Sequence, residues 1–169
     1  MAEHRLRALL RSLAESKSEF IVVGGLAAVL NGAPIQTYDV DIVYARNSEN
    51  IGRLIEVLGS LDAVFRIQPE RKLRPNQSHL SGGGHLNLLT RSGPLDLLGA
   101  IGRNLGYEDL LLHSSKMDVG DGLRIQVLDL GTLIEIKEQL GGEKDIAVLP
   151  VLRQTLKELK RGADPPETG

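Results

Sequence analysis

The sequence predicts a mixed α/β fold, a sheet with helices on at least one face. Two observations carry this. Short apolar runs bounded by Gly, Pro and Asn, such as Phe20–Val23 and Leu123–Leu128, read as strands, whereas leucines spaced i, i+3, i+4, i+7 read as amphipathic helices. The two patterns alternate along the chain, beginning helix, strand, helix, strand, helix.

The totals narrow the chemistry. A chain of 169 residues is long enough for one domain with a real core. Aromatics make up 3% and Trp is absent, so that core must be built from Leu, Ile, Val and Ala. There is no Cys, which rules out disulfides, zinc–thiolate sites and thiol catalysis. A formal net charge of −2 supplies no basic field and weakens the case for a polynucleotide substrate. No apolar run nears the roughly 20 residues that span a bilayer. The Arg-rich N-terminus lacks a signal-peptide core, so a cytoplasmic protein without a membrane partner is expected.

In order, Leu6, Leu9, Leu10 and Leu13 define a first helix, and Ser16–Glu19 connects it to the strand Phe20–Val23. That strand ends at Gly24-Gly25, where a short helix, Leu26–Asn31, begins, followed by a turn at Gly32-Ala33-Pro34. Thr37–Val43 reads as the second strand. Ser48 is expected to cap a helix to about Gly59, with Ile51, Leu54, Ile55 and Leu58 inward. Arg66–Gly84 shows no periodicity and holds Pro69, Pro75, three consecutive glycines and four basic residues. Loops of that length are functional or disordered; its basic part, Arg66–Arg74, would contact a phosphate-bearing acceptor or, as the favoured reading, be a solvated mobile loop. His85–Thr90 and Pro94–Leu98 form a hairpin around Arg91-Ser92-Gly93. A short helix at Tyr107–His113, the strand Leu123–Leu128 and helices at Gly131–Leu140 and Asp145–Lys160 follow, the last broken near Pro150. The expected organisation is a single domain over 1–161, with a core at 18–130, C-terminal helices at 131–161 and a flexible tail at 162–169.

The chemistry concentrates in Phe20–Tyr44. On a strand, Asp39 and Asp41 face one side and Val40 and Ile42 the other. Two carboxylates on one face repel each other, and a divalent cation would relieve this through oxygen coordination. The plain alternative is a pair of solvent-facing carboxylates at a strand edge. Glycines at a strand–helix turn let backbone N–H groups approach an anion, although a double glycine there is common. The turn is neither a Walker loop nor a dinucleotide fingerprint. Asp96, between apolar residues of the later hairpin, is a third carboxylate. His79 and His85 lack a third ligand, and Tyr38 and Tyr44 read as packing residues.

The combination Gly24-Gly25, Thr37-Tyr38-Asp39-Val40-Asp41 and Gly93-Pro94-Leu95-Asp96-Leu97-Leu98 resembles the nucleotidyltransferase superfamily of the DNA polymerase β type. More narrowly it is similar to small bacterial members related to antibiotic nucleotidyltransferases and abortive-infection toxins. Leu133–Lys137 and Lys144-Asp145 are similar to the Lys and Lys-Asp motifs of their C-terminal helices, so the resemblance spans about Phe20 to Leu156. It implies a nucleotidyltransferase-like mixed sheet flanked by helices. It also implies transfer of a nucleoside monophosphate from a nucleoside triphosphate to an acceptor hydroxyl, with release of pyrophosphate. Asp39, Asp41 and Asp96 would be catalytic and would hold two magnesium ions, or manganese in their place. Gly24, Gly25, Thr37, Lys137 and Lys144 would bind the nucleotide.

Two departures stand out. Relatives often carry Arg where this chain has Gly142, and the chain leaves little room for a separate acceptor-holding helical domain. The base, the acceptor (small molecule, protein or RNA end) and the oligomeric state stay open, with a homodimer or a cognate antitoxin as candidate partners. Two other functions fit the same residues. One is an inactive nucleotide-binding or protein-interaction module, against which the intact carboxylate trio speaks. The other is a metal-dependent phosphohydrolase with water as acceptor.

Overall fold

A computed structural model describes residues 2–163. The leucine periodicity of the N-terminus forms α1 (Ala2–Glu15), which buries Leu6, Leu9, Leu10 and Leu13. β1 (Phe20–Val23) is buried throughout and runs straight into α2 (Gly24–Leu30). β2 (Val40–Tyr44) and α3 (Ser48–Ser60) follow. Next come β3 (Val64–Phe65), a 3-10 turn at Pro69–Arg71, α4 (Gln77–Ser81), and the hairpin of β4 (Leu86–Thr90) and β5 (Gly93–Leu98). The chain continues through α5 (Tyr107–Leu111), β6 (Ser114–Asp118), β7 (Arg124–Leu128), α6 (Leu130–Leu140) and α7 (Glu143–Ala163).

The strands make one seven-stranded sheet in the order β3-β4-β5-β2-β1-β7-β6. β1/β7 and β2/β5 pair in parallel, and the other neighbours pair antiparallel. Side chains opposite each other on neighbouring strands share a face. Val40 with Leu95, and Ile42 with Leu97, therefore form one wholly buried face, continued by Leu88 and Leu86 on β4. α1 packs on β2, β5 and α3. The other face carries Asp41 and Asp96.

One end of the central strand pair is closed by Asn50, which is fully buried. Its Oδ1 accepts from the Glu19 N–H at 2.7 Å, and its Nδ2 donates to the carbonyls of Glu19 at 3.0 Å and Ala45 at 2.7 Å. One amide on α3 thus ties the entry of β1 to the exit of β2. Tyr44 is buried too and donates its hydroxyl to the Leu80 carbonyl at 2.6 Å, which anchors α4.

Several elements differ from expectation, each for a physical reason. The second strand begins at Val40, not Thr37, because its partner β1 ends at Val23, opposite Asp41, and Gly24 turns away with φ +65°. Asp39 therefore precedes the ladder. α3 is capped by Asn47, whose Oδ1 accepts from the Asn50 N–H at 2.9 Å, not by Ser48. The aperiodic stretch Arg66–Gly84 is only partly loop. It follows β3 directly and contains the 3-10 turn and α4. One of its three glycines, Gly83, serves packing: a Cβ there would collide with the Arg46 guanidinium, and Gly99 of the following segment must be bare against the backbone of Gly83. β6 carries no apolar alternation because it is an edge strand, with exposed Ser115, Lys116 and Asp118.

α7 is not broken at Pro150. Proline removes the hydrogen bond to the Ile146 carbonyl, but Pro150 is exposed and Ile146 is 55% exposed, so water can satisfy that group. α7 also corrects the expected tail, since Gly162 and Ala163 are helical; the remainder of that tail, 164–169, lies outside the described residues. Among the described residues, no helix is long and apolar enough to cross a membrane.

Candidate active site

The sheet register builds the site. Val23 on β1 lies opposite Asp41 on β2, Asp41 lies beside Asp96 on β5, and Asp96 lies opposite Asn87 on β4. Beyond Asn87, whose carbonyl accepts from the Arg66 N–H at 2.9 Å, comes Arg66, immediately after β3. Arg66 Nη2 reaches back to Asp96 Oδ1 at 2.9 Å and also donates to the Leu88 carbonyl at 2.9 Å. One row across four strands thus ends in an acid–acid–amide–guanidinium sequence.

Asp41 and Asp96 are direct parallel neighbours, with their carboxyls within hydrogen-bonding reach of each other. Burial pushes the Asp41 carboxyl up to about 7, the hydrogen bond to Asp96 and the charges of Asp96 and Asp39 push the same way, and the Arg66 charge opposes them.

Asp39 stands close enough to act on Asp41 electrostatically. Among the described residues, however, no three His, Asp or Glu side chains are gathered as a ready cage for an ion. Asp41 and Asp96 converge, and Asp39, outside the ladder, does not join them. The donor chemistry still fits a hard divalent cation: two carboxylates side by side, partly exposed, with a third nearby and all ligand atoms oxygen.

The Gly24-Gly25 turn lies against this row. A Cβ on Gly24 would collide with Asp41 Oδ2, and one on Gly25 would sit 3.0 Å from Thr37 Oγ1. Bare backbone at these two positions is what lets Asp41 and Thr37 occupy their places. Thr37 in turn donates to the Asp39 carbonyl at 3.4 Å. Thr37 also lines a cavity of about 400 Å³ between α1 and α2, with apolar walls from Leu6, Leu10, Leu26, Leu30 and Ile35.

Neither lysine is hydrogen-bonded or ion-paired to the row. Lys137 on α6 donates to Asp145 Oδ1 on α7 at 3.1 Å, so it ties the two C-terminal helices together. Lys144, at the start of α7, is exposed. His79 caps α4 through Asn76 and stacks edge-on with Phe65 at 4.9 Å. Tyr38 is 64% exposed rather than packed.

Asn87 was missed in the sequence, and Arg66 entered only as one basic residue of the Arg66–Arg74 loop, not as a partner of Asp96. The alternation of Leu86, Leu88 and Thr90 inward puts Asn87 on the outward face, so a reader of the hairpin register could have found it. Arg66 sits among other basic residues and is distinguishable only once β3 pairs with β4.

No family model matches the chain, and no curated protein matches it. Among solved structures, it is similar to a Thermotoga maritima protein proposed to be a nucleotidyltransferase. The TM-score is 0.53 and the identity 19%, covering 90% of this chain and 91% of that one. The chain therefore has a nucleotidyltransferase-like fold.

Proposed function

We propose that this protein is a metal-dependent nucleotidyltransferase, with its active site on the Asp41–Asp96 row. The observation that carries the reading is the register itself: carboxylates far apart in sequence arrive side by side on parallel strands, against a glycine turn that closes over one of them. The likeness of fold to the Thermotoga maritima protein supports the same class.

In this reading Asp41 and Asp96, with Asp39 as third carboxylate, would hold two magnesium ions. The ions would supply charge neutralisation at the transferred phosphoryl group and its leaving oxygen. The chain's own residues do the rest. Gly24 and Gly25 present backbone N–H groups to the β- and γ-phosphates, and Thr37 holds the loop that leads into the row. The acceptor oxygen forms a bond to the α-phosphorus as the bond to pyrophosphate breaks. The acceptor's proton passes to the Asp96 carboxylate. Exposed Lys144 is better placed than Lys137 to meet triphosphate charge, since Lys137 already has Asp145 as a partner. The cavity beside Thr37 offers apolar space for the organic part of a substrate. A toxin role, opposed by a cognate antitoxin, belongs to the same proposal and rests on the sequence resemblance.

Titration calorimetry tests it, with ATP, GTP, CTP and UTP, each with and without magnesium, on the wild type and on Asp39→Ala/Asp41→Ala. Magnesium-dependent binding of one triphosphate, lost in the variant, supports the site and names the donor. Failure of every triphosphate to bind under both conditions overturns the reading.

A further inference from the structure

Arg66 is the cation that the structure places on Asp96, with Nη2 2.9 Å from Oδ1. The side-chain bonding of its guanidinium runs through one nitrogen, Nη2, shared between Asp96 Oδ1 and the Leu88 carbonyl. Nε is buried with no partner, the one such side-chain nitrogen or oxygen among the described residues. A buried donor without an acceptor is costly and marks an arrangement that is incomplete as it stands. The backbone of Arg66 is fixed on Asn87, so its side chain can swing while its Cα stays in place. The ion pair with Asp96 is partly open, with side chains 34% and 17% exposed. A divalent cation brings twice the charge to the same oxygen.

We propose that Arg66 is the resident counter-ion of the carboxylate row: it holds Asp96 while no cation is bound, yields Asp96 when a divalent cation arrives, and turns its freed N–H donors to the phosphates that accompany the cation. Arg66 is then a positioning residue for Asp96 first and an anion ligand second. Guanidinium geometry suits both tasks, since its planar fork matches carboxylate and phosphate alike. The exchange on Asp96 needs only that the row binds a cation; the phosphate half rests on the nucleotidyltransferase reading.

The first experiment is titration of Mn2+ alone into the wild type and Arg66→Gln. Removing the competing charge is expected to tighten Mn2+ binding roughly three- to tenfold. Arg66→Lys keeps the charge but loses the fork, and it shifts affinity in the same direction by less; it serves if the Gln variant melts too early. The second is 15N NMR of arginine-labelled protein during Mg2+ titration. The Arg66 Nε–H signal, assigned by its absence in Arg66→Gln, is expected to shift and to exchange faster with water as Mg2+ saturates. Unchanged Mn2+ affinity, or an Arg66 signal that ignores saturating Mg2+, overturns the exchange.

The third compares the triphosphate selected by calorimetry, with Mg2+, on both proteins. Weaker binding to Arg66→Gln, opposite in sign to the bare-ion effect, supports the phosphate half. Equal binding overturns that half. If ions bind and exchange as described but no triphosphate binds, the exchange is supported and the transferase reading falls. If neither protein binds any ion, metal dependence and this inference fall together.

Discussion

The two ends of the β1–β2 strand pair solve the same problem in opposite ways. At one end, buried Asn50 makes three hydrogen bonds with its side chain, and its polar atoms all face partners inside the protein. At the other, Asp41 and Asp96 crowd each other, Asp39 adds a third negative charge, and one arginine answers them with an unpaired Nε. The first end is finished. The second leans on a part-exposed ion pair, and it gains from anything cationic that enters. Unresolved polar groups on a rigid sheet are where a ligand is to be sought.

The sharpest way to break this contrast is Asn50→Ala. It orphans the Glu19 N–H and the Ala45 carbonyl, while the Glu19 carbonyl keeps its bond from the Ala45 N–H, and it should cost about 3 kcal/mol in urea unfolding, the range for buried groups left without partners. A loss under about 1 kcal/mol would show that the Asn50 end is not the clamp described here. Gly24→Ala comes next. It forces a side chain into a left-handed backbone and onto the Asp41 carboxylate, at about 1–3 kcal/mol. Part of that cost should vanish in an Asp41→Ala background, since the two are in contact; a strictly additive pair would place the strain in the backbone alone.

Asp41→Asn should act in the reverse direction and stabilise the metal-free fold. The folded-state pKa of Asp41 is raised to about 7 from an ordinary 3.8, so the folded state holds a proton that the unfolded chain releases. Its contribution is full below the unfolded value and is lost as pH rises through about 7. The amide carries no charge to repel Asp96. Asp41→Asn should therefore raise the melting temperature at pH 8 by about 2–4 °C, the shift that about 1 kcal/mol produces in a chain of this size, with the gain shrinking as pH falls and little left at about pH 3, below the unfolded value. A gain independent of pH would argue against charge crowding. The smallest effects are expected on the C-terminal helices. Lys144→Ala should change stability by less than about 0.5 kcal/mol, as exposed substitutions do. Lys137→Met should cost about 1 kcal/mol by leaving Asp145 unpaired between α6 and α7. A large loss of triphosphate binding in Lys137→Met at full stability would instead return Lys137 to the nucleotide.

Much of this was legible in the chain because local chemistry enforces it. The leucine spacing of α1 and α3, the apolar run of β1 ending at Gly24, and the hairpin around Arg91-Ser92-Gly93 are set by side-chain periodicity and turn residues, which operate over a few positions. β6 was not legible, because an edge strand of Ser, Lys and Asp buries too little to leave a pattern. Pro150 misled, because a proline's cost in a helix depends on whether water can reach the carbonyl it frees.

The candidate site divides along the same line. The sequence by itself determined that Asp39, Asp41 and Asp96 lie beside apolar residues, that glycines precede a helix, and that no cysteine chemistry is available. Only the tertiary structure decided that Asp41 and Asp96 are direct neighbours while Asp39 stands outside the ladder, that Lys137 belongs to Asp145, and that Arg66 belongs to Asp96. The strand pairing of Asp41 with Asp96 and the ion pair of Arg66 with Asp96 join residues tens of positions apart. The free energy of those contacts depends on distance in space, and a pattern read along the chain carries no measure of it.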